Sequence, residues 1–248
     1  MRLALEALKQ WLLLTGVGLV LLQLFFVGRV GMMTVVDPSS TAFERSQAWQ
    51  LFSQKGELKW RQSWESSDRI AKTLQRAVLA SEDSAFTNHH GVWWDAVEKA
   101  WSKNAKAKAK IEANATPNKN GKVSAPKIVG GSTITQQLAK NLLLSGERTM
   151  IRKGQEWVIT MALETFLTKK KILTLYLNHV EWGRGIFGAE AAARHYFQKP
   201  ASQLSEWEAA RLAVMLPRPR YFEKLPQSTY LSDRAQTIMA RMNDVALP

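Results

Sequence analysis

The feature that most constrains this chain is an uncharged apolar run near its N-terminus. Residues 11–28, WLLLTGVGLVLLQLFFVG, contain no Asp, Glu, Lys or Arg. As a helix these residues rise about 27 Å, close to the ~30 Å hydrocarbon core of a bilayer. The run predicts a membrane-spanning helix, with residues 1–36 as an anchor and residues 37–248 as one domain. Arg2 and Lys9 before the run favour a cytoplasmic N-terminus.

Two other interpretations of the apolar run are open. A cleaved signal peptide has a shorter apolar region of about 7–15 residues and a small-residue exit, and no A-x-A pattern follows here. A buried helix of a soluble protein is the other alternative, but Gly16, Gly18 and an apolar surface on all sides suit lipid better.

The charge balance indicates an anionic partner. The chain of 248 residues has a formal net charge of +13 and a pI near 10.0, which fits nucleic acid, an anionic membrane surface or a phosphorylated substrate. Residues 102–127 carry seven lysines and one acid, Glu112, and we interpret them as a mobile Lys-rich loop. No aromatic residue lies between these lysines, so anionic head groups fit better than nucleic acid. The absence of cysteine excludes disulfides and cysteine–metal sites.

The motif of residues 130–141, GGSTITQQLAKN, predicts an anion-binding helix start. Two glycines let the backbone approach a ligand closely, and Thr133 with Gln136 forms a capping-box pattern. Gln137, Lys140 and Asn141 share one helix face. Together these features indicate a site for phosphate or pyrophosphate. An ordinary capped helix is the alternative, and a nucleotide P-loop is disfavoured because no lysine follows at the required offset.

A second candidate group is the carboxylate pair at Glu82 and Asp83. The pair ends an apolar helix and precedes aromatic and histidine residues. The negative end of a helix dipole and a dry environment both raise the pKa of a carboxylate toward that of a working base. A solvated acidic pair is the alternative. His89 and His90 lack further ligands at metal-binding spacing, so we predict no histidine–metal site.

A third candidate group lies on a helix predicted for residues 149–168. Arg152 and Lys153 precede Glu156 by four and three residues, so all three side chains meet on the helix surface. This spacing predicts an ionised Glu156 held among cations. The alternative is a surface ion pair that contributes under about 1 kcal/mol to stability.

Five segments in order resemble the motifs of the peptidoglycan glycosyltransferases, the lipid II polymerases found alone or fused to penicillin-binding transpeptidases. The segments are Glu82-Asp83-x-x-Phe86-x-x-His89-x-Gly91, GGSTITQQ with Lys140-Asn141, Arg152-Lys153-x-x-Glu156 with Ala162-Leu163-Glu164, the run from Tyr176-Leu177-Asn178 to Tyr196-Phe197, and Ser205-x-x-Glu208 with Ala209-Ala210. They cover most of the domain. One departure is Trp93, which replaces the family's usual aspartate, with Asp95 nearby.

The resemblance implies a mainly α fold, a lysozyme-like glycosyltransferase domain with a membrane-proximal lobe, in the monofunctional form. It implies polymerisation of lipid II into β-1,4-linked glycan, with Glu82 as the base and Glu156 as the second catalytic residue. The substrate-binding residues would be Asp83, Phe86, Ser132, Thr133, Gln136, Gln137, Lys140, Asn141, Arg148, Arg152, Lys153, Tyr176 and Asn178. A lysozyme-like lytic enzyme and a non-catalytic basic membrane-tethered protein are the alternatives.

The same resemblance sets expectations for location, partners and cofactors. The domain would lie on the outer, periplasmic face of the cytoplasmic membrane. Its partners would be lipid II, the growing glycan chain and proteins of cell-wall synthesis or division, without nucleic acid. No cofactor is required by the sequence, and a divalent cation, Mg or Mn, would assist by screening pyrophosphate.

Overall fold

The computed structural model describes residues 2–56, 60–113, 130–144 and 149–248, and its fold is mainly helical, as predicted. In chain order the α-helices of these residues are α1 Arg2–Met32, α2 Ala42–Lys55, α3 Lys72–Glu82, α4 Trp94–Ala113, α5 Ile134–Leu143, α6 Met150–Phe166, α7 Lys169–His179, α8 Ala189–Phe197, α9 Glu206–Met215, α10 Pro219–Phe222 and α11 Thr229–Met242.

One small sheet accompanies the helices in the described residues. Its strands are β1 Arg61–Gln62, β2 Glu181–Gly183 and β3 Ile186–Phe187, in the order β1-β3-β2. Strand β3 pairs in parallel with β1 and antiparallel with β2. These strands are too short to show an alternating pattern in the sequence. The sheet ties the segment after α2 to the turn between α7 and α8.

The core forms where α3, α9 and α11 pack against one another. Leu74 and Val78 of α3 are fully buried there. Trp182 is also fully buried, and its indole N–H donates to the carbonyl of Leu212 at 3.0 Å. The apolar residues of these helices recur every three or four positions, which explains why each helix buries one face. This packing places Glu82, the last residue of α3, beside α5.

The long N-terminal helix is present as a single element, α1. Residues Leu3–Met32 have the length and apolar composition needed to cross a membrane, and an 18-residue stretch within them has a mean hydropathy of 2.1. Most of its side chains point outward, but Val30 is fully buried and Phe26 and Val27 pack against the core. Helix α1 lies against α6, so the anchor is joined to the helix that carries Glu156.

The interpretation of residues 102–127 as a loop is wrong for residues 102–113, which belong to α4. Lysine and alanine both have high helix propensity, so a lysine-rich run with alanine at alternate positions can extend a helix. Lys99, Lys103, Lys106 and Lys110 are exposed and form one stripe along it. Residues 114–127 of the predicted loop lie outside the described residues.

Side-chain caps fix the starts of several helices. The capping box predicted at Thr133 is confirmed, and a second capping box at Ser205 starts α9. Helix α3 begins differently, because Ser67–Arg69 form a separate 3₁₀ turn and α3 starts at Lys72 without a side-chain cap. The backbone N–H of Ala71 donates to the carbonyl of Ala201, so a tertiary contact fixes this boundary.

Candidate active site

A polar groove opens between α2, α5 and α6. Its volume is about 340 Å³. Three cationic side chains and one carboxylate lie among its walls, which gives the groove a net positive character. The lining residues are Phe43, Ser132, Gln136, Gln137, Lys140, Asn141, Leu144, Arg152, Lys153 and Glu156.

Glu156 is bound by two cations within this groove. Its carboxylate accepts from Arg152 Nη1 at 3.2 Å and from Lys153 Nζ. Glu156 is only 4% exposed, so the ion pairs offset the cost of burying its charge. Arg152 Nε is buried without a partner among the described residues, so part of this guanidinium still faces no acceptor.

The start of α5 forms another wall. Thr133 Oγ1 accepts from the backbone N–H of Gln136, and Gln136 Oε1 accepts from the backbone N–H of Thr133. These bonds keep the first turn of α5 helical, and they hold Gln136 and Ser132 at the groove. The positive end of the helix dipole adds to the attraction that Lys140 and Arg152 offer to an anion.

Glu82 lies behind the groove and is joined to it by Gln137. Gln137 Nε2 donates to Glu82 Oε2 at 3.0 Å. Burial raises the pKa of Glu82 above its ordinary value of 4.5, and the nearby charge of Asp83 acts in the same direction. Hydrogen bonds from Gln137 and Ser81 act the other way. The outcome is a carboxylate more basic than a solvated one, as expected of a general base.

Tyr176 fixes the orientation of the Gln137 amide. The Tyr176 hydroxyl donates to Gln137 Oε1 at 2.9 Å, which leaves the amide NH₂ directed at Glu82. Burial raises the pKa of Tyr176 well above 10, and the charges of Glu82 and Asp83 raise it further. The phenol therefore stays neutral and acts as a donor at physiological pH.

Asp83 has an internal role, which corrects the expectation that it contacts substrate. It is 2% exposed, and both carboxylate oxygens are engaged. Oδ1 lies 2.8 Å from His89 Nε2, and Oδ2 accepts from the backbone N–H of Ile134 at 3.0 Å. Asp83 thus ties the residues after Glu82 to the first turn of α5.

The loop after Asp83 is held against α5 and α6 at Gly91. Gly91 has φ +80°, and a Cβ there would lie 2.7 Å from the Thr160 side chain. Its carbonyl accepts from Thr133 Oγ1 at 2.6 Å. Trp93, at the position of the family's usual aspartate, stacks on His89, while Asp95 is exposed in the first turn of α4.

Phe86 and Asn178 are also buried rather than directed at the groove. Phe86 is 1% exposed, and Lys169 Nζ lies 4.5 Å from the centre of its ring. Asn178 is 1% exposed and binds the backbone of Glu65 through both its amide oxygen and its amide nitrogen. These residues, predicted to bind substrate, instead hold neighbouring segments together.

Comparison with known proteins decides the family of this fold and site. A family profile described as transglycosylase matches residues 50–243, which is most of the chain. The chain belongs to the transglycosylase family. It is 48% identical over 226 residues to a biosynthetic peptidoglycan transglycosylase of Burkholderia thailandensis, covering 91% of this chain and 82% of that protein. A relative of the same description from Burkholderia pseudomallei is 49% identical over the same shares.

Within this transglycosylase site, the groove brings together most of the residues that the sequence predicted. Phe43 and Leu144 are the lining residues that sequence reasoning missed. Thr41 and Glu44 form a capping box that starts α2 and is readable in the sequence, but nothing local indicates that α2 folds over the motif of α5. Arg148 lies outside the described residues.

The described residues of the transglycosylase site offer no cluster of ligands for a divalent cation. Within the four described ranges, no three His, Cys, Asp or Glu side chains lie close enough to hold a metal. The groove carboxylate, Glu156, is already bound by Arg152 and Lys153. These residues do not fit a protein-held metal ion.

We expect Glu82→Gln to stabilise the protein at neutral pH. A carboxylate whose pKa is raised on folding stabilises the fold fully below pH 4.5, and this contribution is lost as pH rises through the raised pKa. The variant should therefore have a higher Tm than wild type at pH 7–8, and the difference should shrink toward zero below about pH 4.5. Thermal unfolding at several pH values in detergent measures this.

Glu156→Gln is the matched control for this prediction. It leaves Arg152 and Lys153 without their carboxylate partner, so it should lower Tm at neutral pH. The same substitution of glutamate by glutamine should therefore raise Tm at position 82 and lower Tm at position 156. A Tm that falls equally in both variants would contradict the difference in environment described above.

Proposed function

We propose that this chain polymerises lipid II into β-1,4-linked glycan strands of peptidoglycan and releases undecaprenyl pyrophosphate. The observation that supports this most is the connection of one half-buried carboxylate with a raised pKa, Glu82, to a cationic groove through Gln137. The relatives from both Burkholderia species are described as biosynthetic peptidoglycan transglycosylases. Their description agrees with a site that combines a base with cations.

In the proposed reaction, Glu82 takes the proton from the 4-hydroxyl of the acceptor sugar. The acceptor oxygen forms a bond to the anomeric carbon of the donor while the bond from that carbon to pyrophosphate breaks. The electron pair of that bond leaves with the pyrophosphate. Attack opposite the leaving group converts an α-linked donor into a β-1,4 link, with inversion.

The groove cations would hold the departing pyrophosphate. Lys140, Arg152 and Lys153 line the groove together with the start of α5, so the charge that develops on the leaving group meets fixed positive groups. Pyrophosphate is already a good leaving group, and no acid is needed to protonate it. Glu156 keeps Arg152 and Lys153 in place and would help to orient the acceptor.

A lysozyme-like lytic reaction is the competing enzymatic function. It uses water as acceptor and needs one carboxylic acid to protonate the leaving sugar. Glu82, with its raised pKa, fits that acid role, but the lytic reaction also needs a second carboxylate to activate water or attack the sugar. Glu156 is poorly suited to that second role, because Arg152 and Lys153 bind its carboxylate. A non-catalytic basic membrane protein is the third candidate, and it would not need the raised pKa of Glu82. The observed pairings favour the transferase.

We further propose that the domain lies on the periplasmic face of the cytoplasmic membrane. Helix α1 has the length and composition of one span, and the positive residues before it favour a cytoplasmic N-terminus. A lipid-linked donor would then meet the groove at the membrane surface. Proteins of cell-wall synthesis or division are the partners proposed there, and a divalent cation would act on pyrophosphate without a protein cage.

The first test of the proposed function is Glu82→Gln. This change keeps the shape but removes the base, so lipid II binding should survive while turnover falls by about 10²–10⁴. Glycan length and release of undecaprenyl pyrophosphate from purified lipid II give the turnover. Glu156→Gln should lower turnover by a smaller factor. If Glu82→Gln polymerises at the wild-type rate while Glu156→Gln is inactive, the two roles are reversed.

The second test concerns the groove cations. Arg152→Ala or Lys140→Ala should lower turnover by roughly 10²–10³, the scale of losing one electrostatic stabiliser of the transition state. Lys99→Ala, on the exposed stripe of α4, is the control and should leave turnover unchanged. An unchanged kcat with only a raised KM in the groove variants would show that the cations bind the ground state alone.

The third test concerns topology. An alkaline phosphatase domain fused after Pro248 should be active, because this enzyme folds only in an oxidising compartment. A β-galactosidase fused at the same position should be inactive. The reverse pattern of activities would place the domain in the cytoplasm and contradict the proposed orientation.

A further inference from the structure

A pair of glutamines joins the membrane anchor to the helix that carries the groove charges. Gln23 Nε2 donates to Gln155 Oε1 at 2.8 Å, and Gln155 Nε2 donates to Gln23 Oε1 at 3.0 Å. Each amide therefore acts as donor and as acceptor toward the other. The two residues are 132 positions apart in the chain.

The surroundings of Gln23 make this pair costly to break. Gln23 lies inside the uncharged run 11–28, six residues or about 9 Å before Arg29. Its neighbours along α1 are leucine and phenylalanine. An amide in such an environment is unfavourable unless it is hydrogen-bonded, and two helices in lipid commonly satisfy this need by pairing polar side chains.

The position of Gln155 connects this pair to the site. Gln155 directly precedes Glu156 on α6, and one turn earlier lie Arg152 and Lys153. Met150 and Ile151, which begin α6, are apolar and almost fully exposed, at 86% and 88%. A helix start of this kind beside α1 is suited to contact with lipid. The groove charges thus lie within one turn of a contact with the anchor.

We propose that the Gln23–Gln155 pair makes the anchor a positioning element of the active site. Packing of apolar side chains between α1 and α6 would permit sliding or rotation, because such contacts are not directional. A reciprocal amide pair allows one register. The pair fixes the depth and rotation of α6 relative to the membrane, and with them the level at which Arg152, Lys153 and Glu156 meet a lipid-linked donor. This last step rests on the proposed function.

Cross-linking tests, without any activity measurement, whether positions 23 and 155 face each other in the membrane, as the pair requires. The chain has no cysteine, so an introduced pair gives no background. Gln23→Cys with Gln155→Cys in membranes should cross-link efficiently with a short bis-maleimide. Leu21→Cys with Gln155→Cys is the control, because Leu21 is exposed and lies about 200° around α1 from Gln23. Equal yields from the two pairs would overturn the proposal.

Stability and turnover together separate positioning from packing. Gln23→Leu leaves the Gln155 amide unpaired, so Tm and kcat should both fall, with kcat lower by about tenfold and KM changed less. Gln23→Leu combined with Gln155→Leu removes both amides, so Tm should recover while kcat stays low. Thr15→Val is the control in α1, since among the described residues its hydroxyl donates to the carbonyl of Trp11 in the same helix, and the variant should match wild type.

Two outcomes would overturn the proposal. One is wild-type kcat in the Gln23→Leu variant. The other is recovery of kcat together with Tm in the double leucine variant, because packing alone would then suffice. If the wild-type protein does not polymerise lipid II, the proposed function fails, while the cross-linking yields and the Tm values still report on the register.

Discussion

The arrangement of the site depends on one buried carboxylate, that of Asp83. Its two oxygens bind His89 in the loop that follows α3 and the backbone N–H of Ile134 at the start of α5. A buried carboxylate is costly unless its oxygens are satisfied, so this geometry is held firmly. As a result Glu82, one residue earlier, is brought within hydrogen-bond distance of Gln137. The distance between Glu82 and the groove follows from this contact.

Two carboxylates with different surroundings divide the chemistry of the site. Glu82 is half-buried beside a neutral amide, and desolvation raises the pKa of its carboxyl group. Glu156 is more deeply buried, at 4% exposed, and is paired with Arg152 and Lys153. Environment, rather than residue type, makes the first suited to accept a proton and the second suited to hold cations. A single site thereby offers a base and an anion-binding wall.

The sequence predicted local features well and tertiary ones poorly. The capping box at Thr133 and the cluster around Glu156 depend on residues within four positions of one another, and the N-terminal helix depends on one continuous apolar run, so the local sequence was enough to reveal them. The contribution of Phe43 and the internal roles of Asp83 and Asn178 depend on partners more than 40 positions away. The helix at residues 102–113 was missed because charge was weighed above the high helix propensity of lysine and alanine.

Several polar residues of the motifs do not line the groove but hold the residues that do. Tyr176 directs the Gln137 amide, Asp83 directs the start of α5, and Asn178 holds residue 65. Each of these side chains is hydrogen-bonded itself and at the same time fixes the position of the residue that it contacts. A base is effective only when its distance to the proton is fixed, and cations stabilise a leaving group only when they need not reorganise. The motifs of this sequence therefore supply both the residues that line the groove and the buried residues that hold the lining in position.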